Sequence, residues 1–291
     1  MTPAQLEGHG VIVTGASLGL GKAIARACLA HGAHVYICAR DKGAIDAARA
    51  ELAEESGDSR VFAMQADVAD AASVRALIEA ASRDLPDLLG LVNNAGVLGP
   101  KGVLEDVESN EWWRTIEINL LGTMLCCRAV LPVLRRAKYG KIVNLSGGGA
   151  TAPMPRMSAY AASKAAVVRF TETLAAEYAE HNIDVNAIAP GALNTRMLTE
   201  VLAAGPDRVG TAYYNRSVRQ GEDGGASLER AAELCVFLLS KQSDGITGKL
   251  ISAVWDPWDS LARRQKQLHG TDVYTLRRIT PKDRGLDWEQ S

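Results

Sequence analysis

The sequence predicts an α/β fold: a doubly wound parallel sheet of the Rossmann type, in three layers, α/β/α. Three observations predict it. Apolar runs and helical patterns alternate from about Gly10 to Ala253 with no linker and no internal repeat. The first apolar run leads into a glycine-rich turn and then a helix, the context in which such a turn is informative. Polar or glycine-containing motifs follow several strands, at the edge where sheets of this class bind ligands.

The composition narrows the class of protein. The chain has 291 residues, 47% hydrophobic and 23% charged, which is ordinary for a globular protein with a large core. Its formal net charge of -2 argues against general binding of nucleic acid or anionic membranes. The five cysteines are odd in number and mostly in apolar contexts, which predicts buried thiols in a reducing compartment. There is no metal-binding motif, signal-peptide pattern or apolar run near ~20 residues, so we expect a cytoplasmic protein without a protein-bound metal or membrane span.

The first strand and its turn predict a dinucleotide site. The apolar run 11–13 is followed by the turn Thr14 to Gly21 and by a helix from Lys22 to about Ala30. Gly15 permits a tight turn, and the later glycines of the turn let the backbone approach a pyrophosphate at the helix N-terminus. A glycine-rich turn that binds nothing is the alternative.

The end of the second strand bears on cofactor choice. The run 33–38 is followed by Ala39 and Arg40. An acidic residue here would bind the 2′-hydroxyl of NAD, whereas an arginine can hold the 2′-phosphate of NADP. Because Ala39 occupies the acidic position, NADP(H) is favoured. NAD(H) stays possible, with Asp41 serving the ribose and Arg40 as a solvated loop charge.

The middle of the chain continues the alternation. We expect helices at 42–55 and 71–83, strands at 60–65 and 88–92, and a long helical region at 111–138, bent near Gly122. Asp67 follows the third strand, beside the expected adenine, although it could also cap the next helix. Asn93 to Gly96 follow the fourth strand and offer hydrogen bonds and a close backbone approach. Asn119 is unfavourable at mid-helix and needs a reason, of which a satisfied core amide is the simplest.

The second half adds two strands and a mobile segment. We expect strands at 141–145 and 183–189, a helix through Tyr160 to about Glu180, a helix at 228–240 and a last strand at 248–252. Ser146 follows the fifth strand, and Pro190-Gly191 ends the sixth. The stretch 195–220 is polar and contains Gly205, Pro206 and Gly210, which predicts an irregular, mobile lid over the strand ends.

Tyr160 and Lys164 are candidates for proton transfer. Positions four apart lie on one face of a helix, so both side chains can point into one site. A free phenol titrates near ~10, and a nearby ammonium lowers that pKa. A tyrosine tuned in this way can act as general acid or base where a carbonyl and an alcohol interconvert.

Taken in order, these motifs resemble the short-chain dehydrogenase/reductase family in its short, one-domain branch. They are T-G-x-x-x-G-x-G at 14–21, N-N-A-G at 93–96, Y-x-x-x-K at 160–164 and P-G at 190–191. The match covers about Gly10 to Ala253, and the ordered set is specific although each motif alone is not. The resemblance implies an NAD(P)(H)-dependent oxidoreductase that interconverts an alcohol and a ketone by hydride transfer, assembled as a homotetramer or homodimer through the Tyr160 helix and its neighbour.

The resemblance also implies roles for single residues. Tyr160 is the acid/base, Lys164 lowers the pKa of the tyrosine and binds ribose hydroxyls, and Asn119 holds a water in a proton relay to solvent. The cofactor contacts that it implies are Gly15, Ser17, Leu18, Gly19, Leu20, Gly21, Arg40, Asp67, Val68, Asn93, Ala95, Gly96, Tyr160, Lys164, Pro190, Gly191, Leu193 and Thr195.

The catalytic serine of the family is displaced in this sequence. Ungapped alignment places Gly147 in its position and Ser146 one residue early. We expect Ser146 to take the role through a shift of the glycine-rich loop, with Ser158 as a weaker substitute. Loss of this donor would typically lower the rate ~100-fold or more.

The tail is a second departure from the family. We divide the chain into a domain at 1–253 and an extension at 254–291, which contains Trp255, Trp258 and Trp288 and a basic cluster at 263–266 followed by Arg277 and Arg278. We expect the extension to pack on its own domain or on a neighbouring subunit. In the alternative, it closes over the substrate pocket and its arginines meet an anionic substrate.

Two other functions are alternatives, although Tyr160, Lys164 and Asn119 argue against the first, and the second is commoner in the extended branch of the family, whose glycine spacing differs from that of residues 14–21. A non-catalytic, redox-sensing dinucleotide module would explain Gly147, and an enzyme for dehydration or epimerisation could use the same cofactor. The sequence does not name a substrate; residues 151–157, 193–220 and the tail are the candidate pocket segments.

Overall fold

A computed structural model describes residues 5–286 and contains one seven-stranded sheet. The strand order is β3-β2-β1-β4-β5-β6-β7, and every pair is parallel. The strands are β1 Gly10–Thr14, β2 His34–Ala39, β3 Val61–Gln65, β4 Leu88–Asn93, β5 Gly140–Leu145, β6 Ile183–Ala189 and β7 Leu250–Ser252. The order reverses between β1 and β4, which opens a crevice at their carboxyl ends. The expected doubly wound parallel sheet is confirmed.

Helices cover both faces of this sheet. They are α1 Gly19–Ala30, α2 Lys42–Ser56, α3 Ala71–Asp84, α4 Ser109–Ile116, α5 Gly122–Ala137, α6 Ser158–Tyr178, α7 Arg196–Val209, α8 Thr211–Asp223, α9 Leu228–Leu239 and α10 Gln265–Leu268. Side chains alternate between the faces along each strand. In β1, Val11 and Val13 pack with α1 and α9, whereas Ile12 packs with α3 and α5. Each face therefore has its own apolar core.

The long central helix contains a π-helical turn. Glu117–Leu121 forms this turn between α4 and α5, close to the bend expected at Gly122. π-turns widen a helix locally and often occur at functional sites. The continuous stretch Ser109–Ala137 is long and apolar enough to cross a membrane by length and composition alone, but half of its most apolar window is buried in the domain. It is a core helix.

The expectation of an irregular lid is wrong. Residues 196–223 form two helices, α7 and α8, that lie over the strand ends. The residues that suggested a loop shape the helices instead. Gly205 has a φ of 77° and interrupts α7, and Gly210 has a φ of 86° at the junction with α8. Both conformations favour glycine, so the glycines mark a kink and a corner.

The extension packs on the domain over its described part, 254–286. Trp258, Leu261 and Leu268 are buried in the same core cluster as α1 and α9. The tail also covers β7, because the Leu250 amide donates to the Tyr274 carbonyl oxygen at 2.8 Å. Trp288 lies outside the described residues, and the division at residue 253 stays a prediction.

Candidate functional site

A cleft of about 1370 Å³ lies at the carboxyl ends of the strands, beneath α7 and α8. Most of the site residues expected from sequence line it. These are Gly15, Ser17, Leu18, Gly19, Leu20, Gly21, Arg40, Val68, Ala95, Gly96, Ser146, Tyr160, Lys164, Pro190, Gly191, Leu193 and Thr195. They come from seven separate segments, so the fold brings together motifs that are distant along the chain.

The glycine-rich turn is shaped to hold an anion. Leu18 is the N-cap of α1 and its side chain cannot accept a hydrogen bond, so no side chain in residues 5–286 caps the amides of the first turn. Gly15 has a φ of 64°, and a β-carbon there would lie 2.7 Å from the Ala95 Cα. A β-carbon at Gly21 would overlap the Asn94 amide and the Gly15 carbonyl oxygen. A turn this closely packed, ending in free amides at a twelve-residue helix, fits the pyrophosphate of a dinucleotide.

The loop after β2 presents both Arg40 and Asp41 to the cleft. The Asp41 carboxylate accepts a hydrogen bond from the Ala44 amide at 2.8 Å and caps α2. The Arg40 carbonyl oxygen accepts from Gln65 Nε2 at 2.9 Å, which fixes the backbone of the loop. In residues 5–286, no group pairs with the Arg40 guanidinium.

Three expected site residues do not line the cleft. Asp67 pairs with Arg114 at 3.0 Å, and its other carboxylate oxygen accepts from the Ala69 amide at 2.9 Å. Asn93 is buried and donates to Asn144 Oδ1 at 2.9 Å across the sheet. Their cofactor contacts, untested by this geometry, stay predictions.

Asn119 is the third of these residues. It is buried in the π-turn, where it bridges the Val97 backbone in both directions at 2.9 Å and donates to Ser163 Oγ at 3.0 Å. A β-carbon at Gly96 would lie 3.2 Å from Asn119 Oδ1 and 3.5 Å from Lys164 Nζ, so the three residues meet. The satisfied amide gives a physical reason for an asparagine at mid-helix. Its role in a proton relay stays a prediction.

Asn94 belongs to the N-N-A-G motif but is not among the cofactor contacts that the sequence predicts. It lines the cleft, and its amide nitrogen donates to the Thr14 and Gly15 carbonyl oxygens, both at 3.0 Å. Asn94 thus ties the glycine-rich turn to the end of β4. The alternation of side chains along a strand could have indicated this. Successive side chains lie on opposite faces of the sheet, so Asn93 and Asn94 are not expected to share one environment.

Tyr160 and Lys164 lie together at the floor of the cleft. Lys164 Nζ donates to the Leu145 carbonyl oxygen at 2.7 Å and lies 5.7 Å from the centre of the Tyr160 ring. In residues 5–286, nothing hydrogen-bonds the Tyr160 hydroxyl, which lines the cleft. A phenol and an ammonium side by side, with the phenol free, can exchange a proton with a bound oxygen.

Burial sets the pKa values of this pair. Burial, with a smaller contribution from Tyr213, raises the pKa of Tyr160 to about 12, and burial lowers the pKa of Lys164 from 10.5 to about 8. The lowered pKa that we expected for Tyr160 is therefore not found in this structure. The physical reason is that burial disfavours the charged form of each group, the phenolate and the ammonium alike.

Gly147, which stands in sequence where the family resemblance expects the serine, faces Tyr160 in the structure. A β-carbon built on Gly147 would overlap the Tyr160 hydroxyl oxygen, so Gly147 lies where a side chain would face the tyrosine. Ser146 is buried, lines the cleft and lies 3.5 Å from the Lys164 carbonyl oxygen. Ser158 accepts a hydrogen bond from Trp112 Nε1 at 3.1 Å.

Comparison with known proteins places this geometry in a family. The model of the short chain dehydrogenase family matches residues 9–205. The chain belongs to the short-chain dehydrogenase family. Its oxidoreductase class and Rossmann-type fold follow from that membership.

Several relatives of this short-chain dehydrogenase have named activities. A 3beta-hydroxysteroid dehydrogenase 1 of Eggerthella lenta is 40% identical over 248 residues, covering 84% of this chain and 91% of that protein. A 2-(S)-hydroxypropyl-CoM dehydrogenase 3 of Xanthobacter autotrophicus is 33% identical over 244 residues, covering 84% and 94%. Both names describe dehydrogenases of hydroxy compounds.

Solved structures resemble this short-chain dehydrogenase over most of its length. Levodione reductase has a TM-score of 0.79 at 29% identity, covering 88% of this chain and 99% of that one. A single-residue variant of actinorhodin polyketide ketoreductase, solved with NADPH, has a TM-score of 0.77 at 27% identity, covering 86% and 97%.

Proposed function

We propose that this short-chain dehydrogenase uses NADP(H) to interconvert a ketone and a secondary alcohol. The observation that carries the proposal is the free Tyr160 hydroxyl in the cleft with Lys164 beside it. The names of the relatives and neighbours agree with this chemistry, because they include hydroxysteroid and hydroxypropyl dehydrogenases and ketone reductases.

The residues present fit a dinucleotide, which when bound supplies or accepts the hydride. The uncapped amides at the start of α1 would hold its pyrophosphate, and Lys164 would hold ribose hydroxyls. Tyr160 donates a proton to the substrate oxygen during reduction and accepts it during oxidation. Below pH 8 Lys164 carries its proton, and its charge then favours the phenolate that Tyr160 forms. Ser146 is the proposed donor that polarises the substrate carbonyl.

Arg40 supports the preference for NADP(H). Arg40 lines the cleft after β2, and an arginine at the end of this strand can hold a 2′-phosphate. Asp41, the alternative partner for a ribose hydroxyl, also lines the cleft, but one of its carboxylate oxygens caps α2. The loop therefore offers a cation with no partner in residues 5–286 and a carboxylate that is partly engaged in capping α2, which supports NADP(H) over NAD(H).

A binding titration tests the cofactor. We expect NADPH to bind more tightly than NADH to the wild type, and Arg40→Ala to remove that preference. Arg128→Ala, an exposed arginine on α5 outside the cleft, is the matched control for the loss of one charge. Tighter binding of NADH to the wild type would mean that Arg40 is a solvated charge without a role in cofactor choice, and would favour NAD(H).

Turnover tests the chemistry. With NADPH and a panel of ketones, Tyr160→Phe should lose nearly all activity while it retains cofactor binding. Unaltered turnover in this variant would remove Tyr160 from the mechanism. A wild type that binds cofactor but turns over no carbonyl or alcohol would favour the alternative, a redox-sensing module.

We also propose a cytoplasmic enzyme that assembles as a homodimer or homotetramer. All five cysteines are free and buried, as in a reducing compartment. Leu104, Trp113 and Leu121 are exposed around α4, the helix that packs beside α6. Light scattering at micromolar concentration tests the assembly, and a monomer would contradict it.

A further inference from the structure

The wall of the cleft formed by residues 151–156 and 195–223, here called the lid wall, has an excess of positive charge. The charged residues of these segments that line the cleft are Arg156, Arg196, Arg216, Arg219 and Asp223, whereas Glu200, Asp207, Arg208 and Glu222 do not line it. The whole chain has a formal net charge of -2, so this excess is local. A concave wall of one sign concentrates ligands of the opposite sign.

Two of the four arginines already have partners. Arg156 Nη1 donates to the Asp207 carbonyl oxygen at 2.7 Å, which ties the loop before α6 to α7. Arg196 Nε lies 3.3 Å from Glu200 Oε1, one turn along α7. The Arg156 guanidinium holds the loop before α6 against α7, and that of Arg196 pairs within α7.

The other two arginines, on α8, have unused hydrogen-bond donors. Across residues 5–286, neither Arg216 nor Arg219 makes a hydrogen bond or an ion pair. Asp223 lies four residues after Arg219, at the spacing of a helical ion pair, yet the two do not pair. Arg216 and Arg219 are three residues apart and both line the cleft, so they can act on one ligand.

Arg216 is connected to the reacting end of the cleft through Tyr213. The guanidinium carbon of Arg216 lies 5.5 Å from the centre of the Tyr213 ring. Tyr213 in turn packs against the small apolar cluster that contains Tyr160 and Met157. Burial raises the pKa of Tyr213, so its phenol is neutral and does not compensate the charge of Arg216. The charge therefore remains available to a ligand that also reaches Tyr160.

We propose that the substrate carries an anionic group, a carboxylate, phosphate or sulfonate, and that Arg216 and Arg219 bind it while the reacting oxygen faces Tyr160. This inference rests on the proposed function and specifies its substrate class. A guanidinium is suited to the task because its planar donors match a carboxylate or phosphate in pairs. Met154, Met197, Leu198 and Val201 also line the lid wall, which suits an apolar spacer between the two ends of the substrate.

This assignment differs from the one considered for the tail. Of the described tail residues, Trp255 lines the cleft, whereas the arginines of the tail do not. Arg277 is occupied by Asp272 and Asp283. The anion-binding arginines that we infer are thus on α8.

The test compares linear keto acids of increasing length with their methyl esters, at saturating NADPH. For the best chain length, kcat/KM of the wild type should favour the acid over the ester by ~10-fold or more, the range for a hydrogen bond to a charged group. Arg216→Gln should remove most of this acid-to-ester ratio and Arg219→Gln part of it, whereas Arg216→Lys should retain part. Arg75→Gln, at an exposed arginine on α3 outside the cleft, changes the net charge equally and should leave the ratio intact.

A charge reversal and the cofactor kinetics provide independent readouts. Arg216→Glu should raise the relative kcat/KM for amino ketones, since the wall then offers a carboxylate. Equal rates for acids and esters in the wild type would overturn the inference and leave the proposed function intact. If Arg216→Gln or Arg219→Gln raised the KM for NADPH equally with every substrate, the inference would also be overturned. The substituted arginine would then bind the phosphates of the cofactor and not the substrate. A wild type that reduces other ketones but neither acid nor ester would overturn this inference alone, whereas a wild type that turns over no carbonyl or alcohol at all would overturn the proposed function and this inference with it.

Discussion

Gly147 lies directly against the Tyr160 hydroxyl, so closely that a β-carbon at residue 147 would overlap the hydroxyl oxygen. Because glycine has no side chain, the Tyr160 hydroxyl can occupy the space beside residue 147. In the usual family pattern this position holds the serine, and here the hydroxyl is on the residue before it. The arrangement of Ser146, Gly147 and Tyr160 is therefore the feature of the site that most needs experimental test.

Gly147→Ala should impair catalysis without unfolding the protein. The added carbon must displace the Tyr160 hydroxyl, and a misplacement of about 1 Å can lower the rate ~100-fold. The measurement is kcat/KM alongside thermal stability. Gly148→Ala is the control, because a β-carbon there meets no atom within 4 Å. Full activity of Gly147→Ala would show that the position of the tyrosine hydroxyl is not limiting.

Ser146→Ala should lower kcat by ~100-fold if the hydroxyl polarises the substrate carbonyl. Ser146 is buried and lines the cleft, and its 3.5 Å contact with the Lys164 carbonyl oxygen is weak enough to be given up for a substrate. Ser158→Ala should leave kcat within about twofold, since that hydroxyl accepts from Trp112. An unchanged kcat in Ser146→Ala, with normal NADPH binding, would leave Tyr160 as the sole donor to the carbonyl.

Lys164→Met should inactivate the enzyme and stabilise its fold in a pH-dependent way. The folded-state pKa of Lys164 is lowered from 10.5 to about 8, so at and below pH 8 the folded protein bears the full cost of a buried charge. A shift of this size corresponds to ~3 kcal/mol, from which the lost hydrogen bond to Leu145 must be subtracted. Between pH 8 and pH 10.5 the cost declines, because the folded protein releases the proton first.

Urea denaturation across this pH range measures the effect. The free energy of unfolding of Lys164→Met minus that of the wild type should be about 1–3 kcal/mol at pH 7 and fall to slightly below zero above pH 10.5, where only the lost hydrogen bond remains. All other titrating groups are common to both proteins and cancel in the difference. A variant that is less stable than the wild type at every pH would mean that the hydrogen bond outweighs desolvation.

Leu261→Ala tests whether the tail belongs to the core. Leu261 is 1% exposed and packs in the core cluster of α1 and α9, so its truncation should cost ~2–5 kcal/mol in the free energy of unfolding. Arg263→Ala, two residues away and exposed, should cost less than ~0.5 kcal/mol. Similar stabilities of the two variants would mean that the tail contributes little to the fold.

Much of the fold and of the cleft could be predicted from the sequence because the signals are local. The apolar runs define strands buried on both faces, and the glycine-rich turn needs its particular conformation wherever it occurs. Once the sheet is parallel, the strand-end motifs must meet at one edge. This is why residues as distant as Gly15, Ser146 and Pro190 are expected in one cleft, and they all line it.

What could not be predicted depends on packing between distant segments. Gly205 and Gly210 suggest a loop when only the sequence is considered. The surrounding residues are helical, because α7 and α8 pack on each other along the edge of the cleft. The pKa of Tyr160 depends on how deeply the fold buries it, and spacing along a helix does not report depth. The availability of the Arg216 guanidinium is likewise a property of its neighbours in space.

The π-turn at Glu117–Leu121 also constrains how the chain can vary. It accommodates one residue more than a regular helical turn, and Asn119 is placed by that extra residue between Val97 and Ser163. Removing a single residue here would rotate everything beyond it by ~100°, turning the buried face of α5 away from the sheet. A redesign that straightens this helix for stability would therefore disconnect α6 from the loop after β4. The π-turn therefore sets the rotation of α5 relative to α4, and with it which side chains of each helix face the domain.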